Sequence, residues 1–202
     1  MRGIRRVLER IYARKLLREI SGANLPGHVF IIMGRNPENL EKILEISRWA
    51  EKAGIEELTF YSESRIDAGR FLNRLKKKYS VEIIGDGERC SEGKGRMKIR
   101  IFYGIRGREE IIRAVRKIAR DVLDGKMKPE EIDDEKVKEY LIFRSEPDLI
   151  IRTGGSALAD ALIWQSVYSE LYFTEASWNE FREIDFLRAM RDYQKRERRF
   201  GR

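Results

Sequence analysis

Short apolar runs alternate with longer amphipathic stretches along most of the chain. "HVFIIM" at 28–33, "ELTFY" at 57–61, "VEIIGD" at 81–86, "MKIRIFYG" at 97–104, "DLIIRT" at 148–153 and "ELYFT" at 170–174 are rich in Val, Ile, Phe and Tyr. Runs of that length, bounded by turn-forming or charged residues, read as buried strands. "NPENLEKILEISRWAEKAG" predicts a helix with Asn36 as N-cap, Pro37 in the first turn and Gly54 as its stop. "DAGRFLNRLKKKY", "ALADALIWQSVY" and "EIDFLRAMRDYQKRERRF" predict three more. The longest, "REEIIRAVRKIARDVLDG", carries Ile111, Ile112, Val115, Ile118, Ala119 and Val122 as one apolar stripe and ends at Gly125.

Residues 1–24 form a further predicted helix, with Ile4, Val7, Leu8, Ile11, Tyr12, Leu16 and Ile20 at helical spacing and arginines over the rest of its surface. Such a helix suits an anionic membrane surface, but packing onto its own domain or a partner is the favoured alternative. "GDGERCSEGKGR" lacks a P-loop pattern and reads as a surface connection, and "KPEEIDDEKVKEYL" as a short charged helical one. Strands alternating with helices predict an α/β fold: one domain over 1–202, with a mostly parallel sheet of about six strands flanked by helices. Ligands of such sheets sit at the carboxyl ends of strands. That rule selects the residues after Met33, those after Tyr61, and Arg152–Gly155.

Composition narrows the chemistry. One cysteine, Cys90, excludes an intramolecular disulfide and suggests a reducing cytoplasm, and with one histidine there is no ordinary structural zinc site. His28, at the entry to an apolar run, reads as structural. No segment is apolar enough to span a membrane. The expected localisation is cytoplasmic, with peripheral membrane contact left open. A net charge of +8 points to an anionic partner. No nucleic-acid module is recognisable, so phosphorylated or lipid partners are expected. A charged fraction of 38% resembles heat-adapted proteins and suggests an archaeal source.

"IIRTGG" leaves a strand with a guanidinium (Arg152), a hydroxyl (Thr153) and two glycines (Gly154, Gly155) before a predicted helix, a set suited to a diphosphate. The longer string "PDLIIRTGG…LIWQSVYSELYFTEASWNEF…YQKRERRFG" resembles the cis-prenyltransferase family of undecaprenyl and dehydrodolichyl diphosphate synthases. The resemblance extends back through "KIRIFYGIRGREEIIRAVRKIARDV", "GIEELTFYSES" and the opening segment, and so covers most of the chain.

It implies a dimeric α/β fold with an apolar cleft. The implied reaction joins isopentenyl diphosphate to an allylic diphosphate with magnesium. It places Arg152 on the arginine that grips isopentenyl diphosphate, and Glu170 on a carboxylate that joins the magnesium site from its own or the neighbouring subunit. Arg199 and Gly201 fall on the C-terminal RxG element, part of the 179–202 helix and tail, which crosses the dimer to cap the partner's substrate.

The chain departs from the family pattern in three places. Family catalysts follow the first strand with "MDGNGRWA", whose aspartate handles magnesium. Here "MGRN" puts Gly34, Arg35 and Asn36 at that degenerate position and omits the rest of the loop. "YSESRIDAGRF" is shorter than the family's "FSTENW"-type segment, and "RTGGSALADAL" lacks the glutamate, second arginine and serine that ordinarily follow the glycines. The expectation is a non-catalytic subunit, most like the Nogo-B-receptor type. It would assemble with a catalytic homologue as a heterodimer or heterotetramer, with magnesium in the partner's site. The alternatives are a divergent active homodimer using Glu170 and Glu63 for magnesium, and a nucleic-acid binder.

Overall fold

The computed structural model describes residues 2–20, 24–67, 69–155 and 160–196. A seven-stranded sheet in the order β4-β3-β5-β2-β1-β6-β7 forms its centre. The strands are β1 (His28–Ile32), β2 (Glu57–Ser62), β3 (Ser80–Gly85), β4 (Glu88–Glu92), β5 (Lys98–Tyr103), β6 (Leu149–Thr153) and β7 (Glu170–Thr174). All pairs are parallel except β3–β4.

β4 is the strand the hydrophobic pattern misses, because its residues are almost all exposed. It arises from Asp86-Gly87, a two-residue connection between the paired Gly85 and Glu88, with Gly87 at φ 77°. That Asp-Gly signal, inside a segment read as a plain connection, specifies a tight hairpin. The sheet therefore has seven strands where the sequence suggests about six.

Helices cover both faces. Helices α1 (Arg2–Ile20), α2 (Lys42–Ala53), α3 (Gly69–Leu75) and α6 (Glu183–Lys195) pack on one, in a core that joins Leu16, Ile43, Phe71 and Phe186 to Ile31, Phe60 and Ile101. α1 rests on α6 through Ala13, Leu16 and Ile20, which meets the expectation that it packs on its own domain. The other face buries Phe30, Ile32, Tyr61, Phe102 and Ile150 against Phe143, Ala161 and Leu162. Over it lie α4 (Gly107–Leu123) and α5 (Asp134–Tyr140), with the buried Glu110 of α4 accepting from Phe143 N at 2.6 Å. Alternation along the parallel strands thus feeds two apolar layers.

Three helical readings change. α2 begins at Lys42 rather than next to Asn36, because residues 36–41 form bends and a turn, with Asn39 O held by Trp178. The predicted helix over "ALADALIWQSVY" is a series of turns over 160–169. There Asp160 O accepts from Gly107 N and its side chain from Arg108 N, so the segment serves the start of α4. Finally, α4 buries Gly107, Glu110, Ala114 and Ile118, while Ile112 and Val115 of the expected stripe face outward.

Candidate functional site

β1, β2 and β6 are neighbours, so their carboxyl ends bring the three expected places together. Gly34 follows β1 at φ 99°, a conformation that favours glycine. A Cβ at that position would lie 3.9 Å from Arg152 Nη1. The Arg152 guanidinium therefore stands beside the position where the family pattern has its aspartate. Arg35 turns to β2: its Nε donates to Glu63 Oε2 at 3.2 Å, and its carbonyl accepts from Ser62 Oγ at 3.2 Å. The Gly34–Asn36 segment is pinned to the end of β2, with Glu63 its nearest carboxylate partner.

The loop after β6 is less of an anion cradle than its sequence suggests. Thr153 is buried, and its hydroxyl donates to Ile32 O at 2.9 Å, tying β6 to β1. Gly154 N donates to Ala176 O at 2.8 Å and Gly155 N to Thr174 O at 3.3 Å. These two amides bind the end of β7 and the loop after it and are not turned to a ligand. Of the four residues expected to hold a diphosphate, Arg152 keeps a side chain at the rim. Arg199 and Gly201 lie outside the described residues.

Glu170 is not at this rim. It opens β7 opposite Leu149, three residues before the partner position of Arg152, which places it about 10 Å back along the sheet. Its Oε2 accepts from Arg196 Nη1 at 2.8 Å at the end of α6. Within one chain this register separates Glu170 from Arg152. Among the described residues, no group of three or more His, Cys, Asp or Glu side chains is placed to hold a metal ion. A magnesium ion bound with substrate diphosphates needs one or two protein carboxylates; here Glu63 follows β2, Glu175 follows β7, and Asp160 acts on Tyr61 at the end of β2. Glu63 is bonded to Arg35 and Asp160 to Arg108 N, so the set is a poor fit for a metal ion.

Sequence reasoning missed a clamp that fixes the shortened front loop. Buried Trp178 packs edge-on against Phe60 and donates Nε1 to Asn39 O at 2.9 Å. The Lys42 ammonium donates to Asn179 O and Phe181 O, each at 2.7 Å, and burial lowers its pKa. The indole of "EASWNEF" was the available signal; a lysine solvating two carbonyls has none.

Comparisons with known proteins assign the fold and the family. The family described as "Putative undecaprenyl diphosphate synthase" matches residues 65–201. The tritrans,polycis-undecaprenyl-diphosphate synthase (geranylgeranyl-diphosphate specific) of Picrophilus torridus is 36% identical, covering 100% of both chains.

This chain is a member of the undecaprenyl diphosphate synthase family of cis-prenyltransferases.

The enzyme of the same name from Methanocaldococcus jannaschii is 36% identical over 95% of this chain and 88% of its own. Lavandulyl diphosphate synthase from Lavandula x intermedia, solved with dimethylallyl diphosphate, superposes with TM-score 0.71 at 26% identity, covering 91% of this chain and 100% of that one. A probable undecaprenyl diphosphate synthase from Campylobacter jejuni, at TM-score 0.67 and 21% identity, shares the fold. The Picrophilus alignment runs 256 positions against 202 residues here, so this cis-prenyltransferase lacks 54 positions of that length. None of these names describes a non-catalytic subunit or a mixed assembly. No helix among the described residues is long and apolar enough to cross a membrane.

Proposed function

We propose that this chain takes part in polyprenyl diphosphate synthesis, the joining of isopentenyl diphosphate to an allylic diphosphate, with geranylgeranyl diphosphate as the allylic class. The names of the archaeal relatives support that reaction. For the chain's own part in it, the rim geometry favours a subunit that depends on a catalytic homologue, stabilising it in a heterodimer or heterotetramer. The observation that carries this reading is Gly34, whose missing carboxylate leaves Arg152 beside a position that can neither bind magnesium nor take a proton. Loss of one such group commonly slows a reaction by orders of magnitude. In the mixed assembly, Arg199 and Gly201 would cap the partner's isopentenyl diphosphate, and Glu170 would reach the partner's magnesium across the interface.

The second reading is an active homodimer, and the relatives' names speak for it more directly than for the first. It would use Glu63 as the magnesium carboxylate after release from Arg35. One experiment separates the two readings. Polyprenyl diphosphate synthesis is assayed with this chain alone, with an aspartate-bearing homologue alone, and with their mixture. The subunit reading expects no product from this chain and a higher rate from the mixture. It also expects Gly201→Ala to lower the mixture's turnover more than its assembly. Robust synthesis by the chain alone establishes the homodimer.

A further inference from the structure

Helix α4 has an outer face that the fold leaves uncovered. Its buried side is Gly107, Glu110, Ala114 and Ile118. On the opposite side Ile112 is 50% exposed, Val115 57% and Leu123 87%. With exposed Ala119 among them, these residues fall within an arc of about 80° on a helix turning 100° per residue. Arg116 and Arg120 run along one border, with Arg113 and Lys117 beyond them and Arg108 at the first turn. Arg113 is bonded to Asp86 at 2.6 Å, but Arg116, Lys117 and Arg120 enter none of the ion pairs among the described residues. Next to them a cavity of about 520 Å³ lies between α4 and the Asp86–Arg89 turn, lined by five cations, Arg89 (paired to Glu82), Arg113, Arg116, Lys117 and Arg120, and by two acids, Asp86 and Glu88. The acids nearby are Asp86, held by Arg113; Glu88, held by Tyr103 and Arg65; and exposed Glu109.

From this arrangement we infer that the outer face of α4 docks on an anionic lipid bilayer. An apolar ridge on a single convex helix, bordered by cations on its polar side, is the form of an interfacial helix. The ridge enters the acyl boundary while the border meets lipid phosphates, and the basic cavity accepts a headgroup. α1 also exposes Val7, Leu8 and Ile11. Two features favour α4 over α1. α1 lies on the opposite face of the sheet, so one flat bilayer engages only one of the two helices. Moreover, the cavity beside α1 is lined by Glu9 and Glu183 together with Arg10 and Arg182, so it offers a headgroup no excess of cations. The inference rests on the helix and its charges and does not require the proposed reaction.

Flotation of the full chain with vesicles tests it, using phosphatidylcholine alone and phosphatidylcholine mixed with phosphatidylglycerol. The chain should float with the mixed vesicles alone. Arg116→Gln with Arg120→Gln should weaken that binding about thirtyfold at low salt, since each cation near an anionic surface adds about fivefold. Ile112→Ser with Leu123→Ser should remove the part of the binding that survives high salt. Val7→Ser with Ile11→Ser, on α1, should leave it unchanged. Any one of three results overturns the inference: failure to bind mixed vesicles, loss of binding in the α1 pair with retention in both α4 pairs, or a change of oligomeric mass in the α4 pairs with unchanged flotation. The last would make this face a protein interface.

Discussion

At the amino ends of β1, β2, β3 and β5 charge is closed into a buried network, whereas at the carboxyl ends of β1, β2 and β6 it is thinned to a few residues. In the lower network His28 Nε2 bonds Thr59 Oγ1 at 2.8 Å, and Nδ1 meets Ser145 Oγ at 3.1 Å. Ser145 Oγ in turn donates to Glu57, Glu57 pairs with Arg100, and Arg100 Nε donates to Glu82 Oε2 at 3.0 Å. At the upper rim, Arg35 and Glu63 pair in the open and Arg152 stands beside a glycine. The lower end is organised to hold the register of four strands, and its groups are consumed in doing so. The upper end is where ligands of such sheets sit, and its Arg35–Glu63 pair joins no wider network of ion pairs among the described residues. Scaffold electrostatics and site electrostatics have been separated, so they can be broken separately.

The largest effect is expected from Arg100→Met. It removes the cation that buried Glu82 and half-buried Glu57 share; removal of one partner of a buried ion pair costs about 3–5 kcal/mol, of which Glu82 recovers part through Arg89 and Lys98. A third of the Glu57 side chain is exposed, so solvent recovers part of its share. Urea unfolding should show the loss, and no change in midpoint would mean the network is ornamental. Vesicle flotation should be unaffected, because α4 does not touch these residues.

Next in size is acid sensitivity. Burial, assisted by Arg100, pushes the His28 pKa down to about 4. An imidazole depressed on folding is less easily protonated in the native state, so stability is full above its unfolded value of about 6.5 and falls as pH drops toward 4. The loss should reach about 3 kcal/mol. Glu57 adds to it below the ordinary carboxylate range: burial would raise its pKa, but Arg100 holds it down. Glu110, raised by burial, has the opposite sign and recovers a part. The midpoint of urea unfolding measured from pH 7 to pH 4 should slope, and His28→Asn should flatten most of that slope. An equal slope in the variant would assign the sensitivity to the carboxylates.

These two ends also differ in how legible they were. The strands, their parallel pairing and the position of the rim follow from apolar runs of five or six residues separated by helices, because burial on both faces leaves a continuous signal. His28 at a strand entry reads correctly as structural. β4 was hidden because an exposed edge strand has no apolar code, and its Asp86-Gly87 turn was the available clue. The α4 stripe misled for the opposite reason: of its six apolar residues at helical spacing Ile118 is buried but Ile112 and Val115 face outward, and Glu110 takes the inner side. At the rim the residue types were legible but their partners were not. Nothing in "RTGG" tells that Thr153 and both glycine amides are spent on neighbouring main chain.

The smallest expected effect on stability is the sharpest on function. The Arg35–Glu63 pair is 3.2 Å long, with Arg35 largely exposed, so Glu63→Gln should change unfolding free energy by less than about 1 kcal/mol. Its effect on prenyl transfer depends on which reading of the chain holds. If this chain holds its own magnesium through Glu63, Glu63→Gln should sharply lower product formation and raise the magnesium concentration needed for the residual rate. If the chain serves a homologue, the partner supplies the acid. Turnover of the mixture should then stay within about twofold, while Arg152→Gln is equally silent. Measuring rate against magnesium concentration for the mixture and for the lone chain distinguishes these outcomes. A mixture whose rate collapses with Glu63→Gln would show that the upper rim, thinned as it is, still takes part in catalysis.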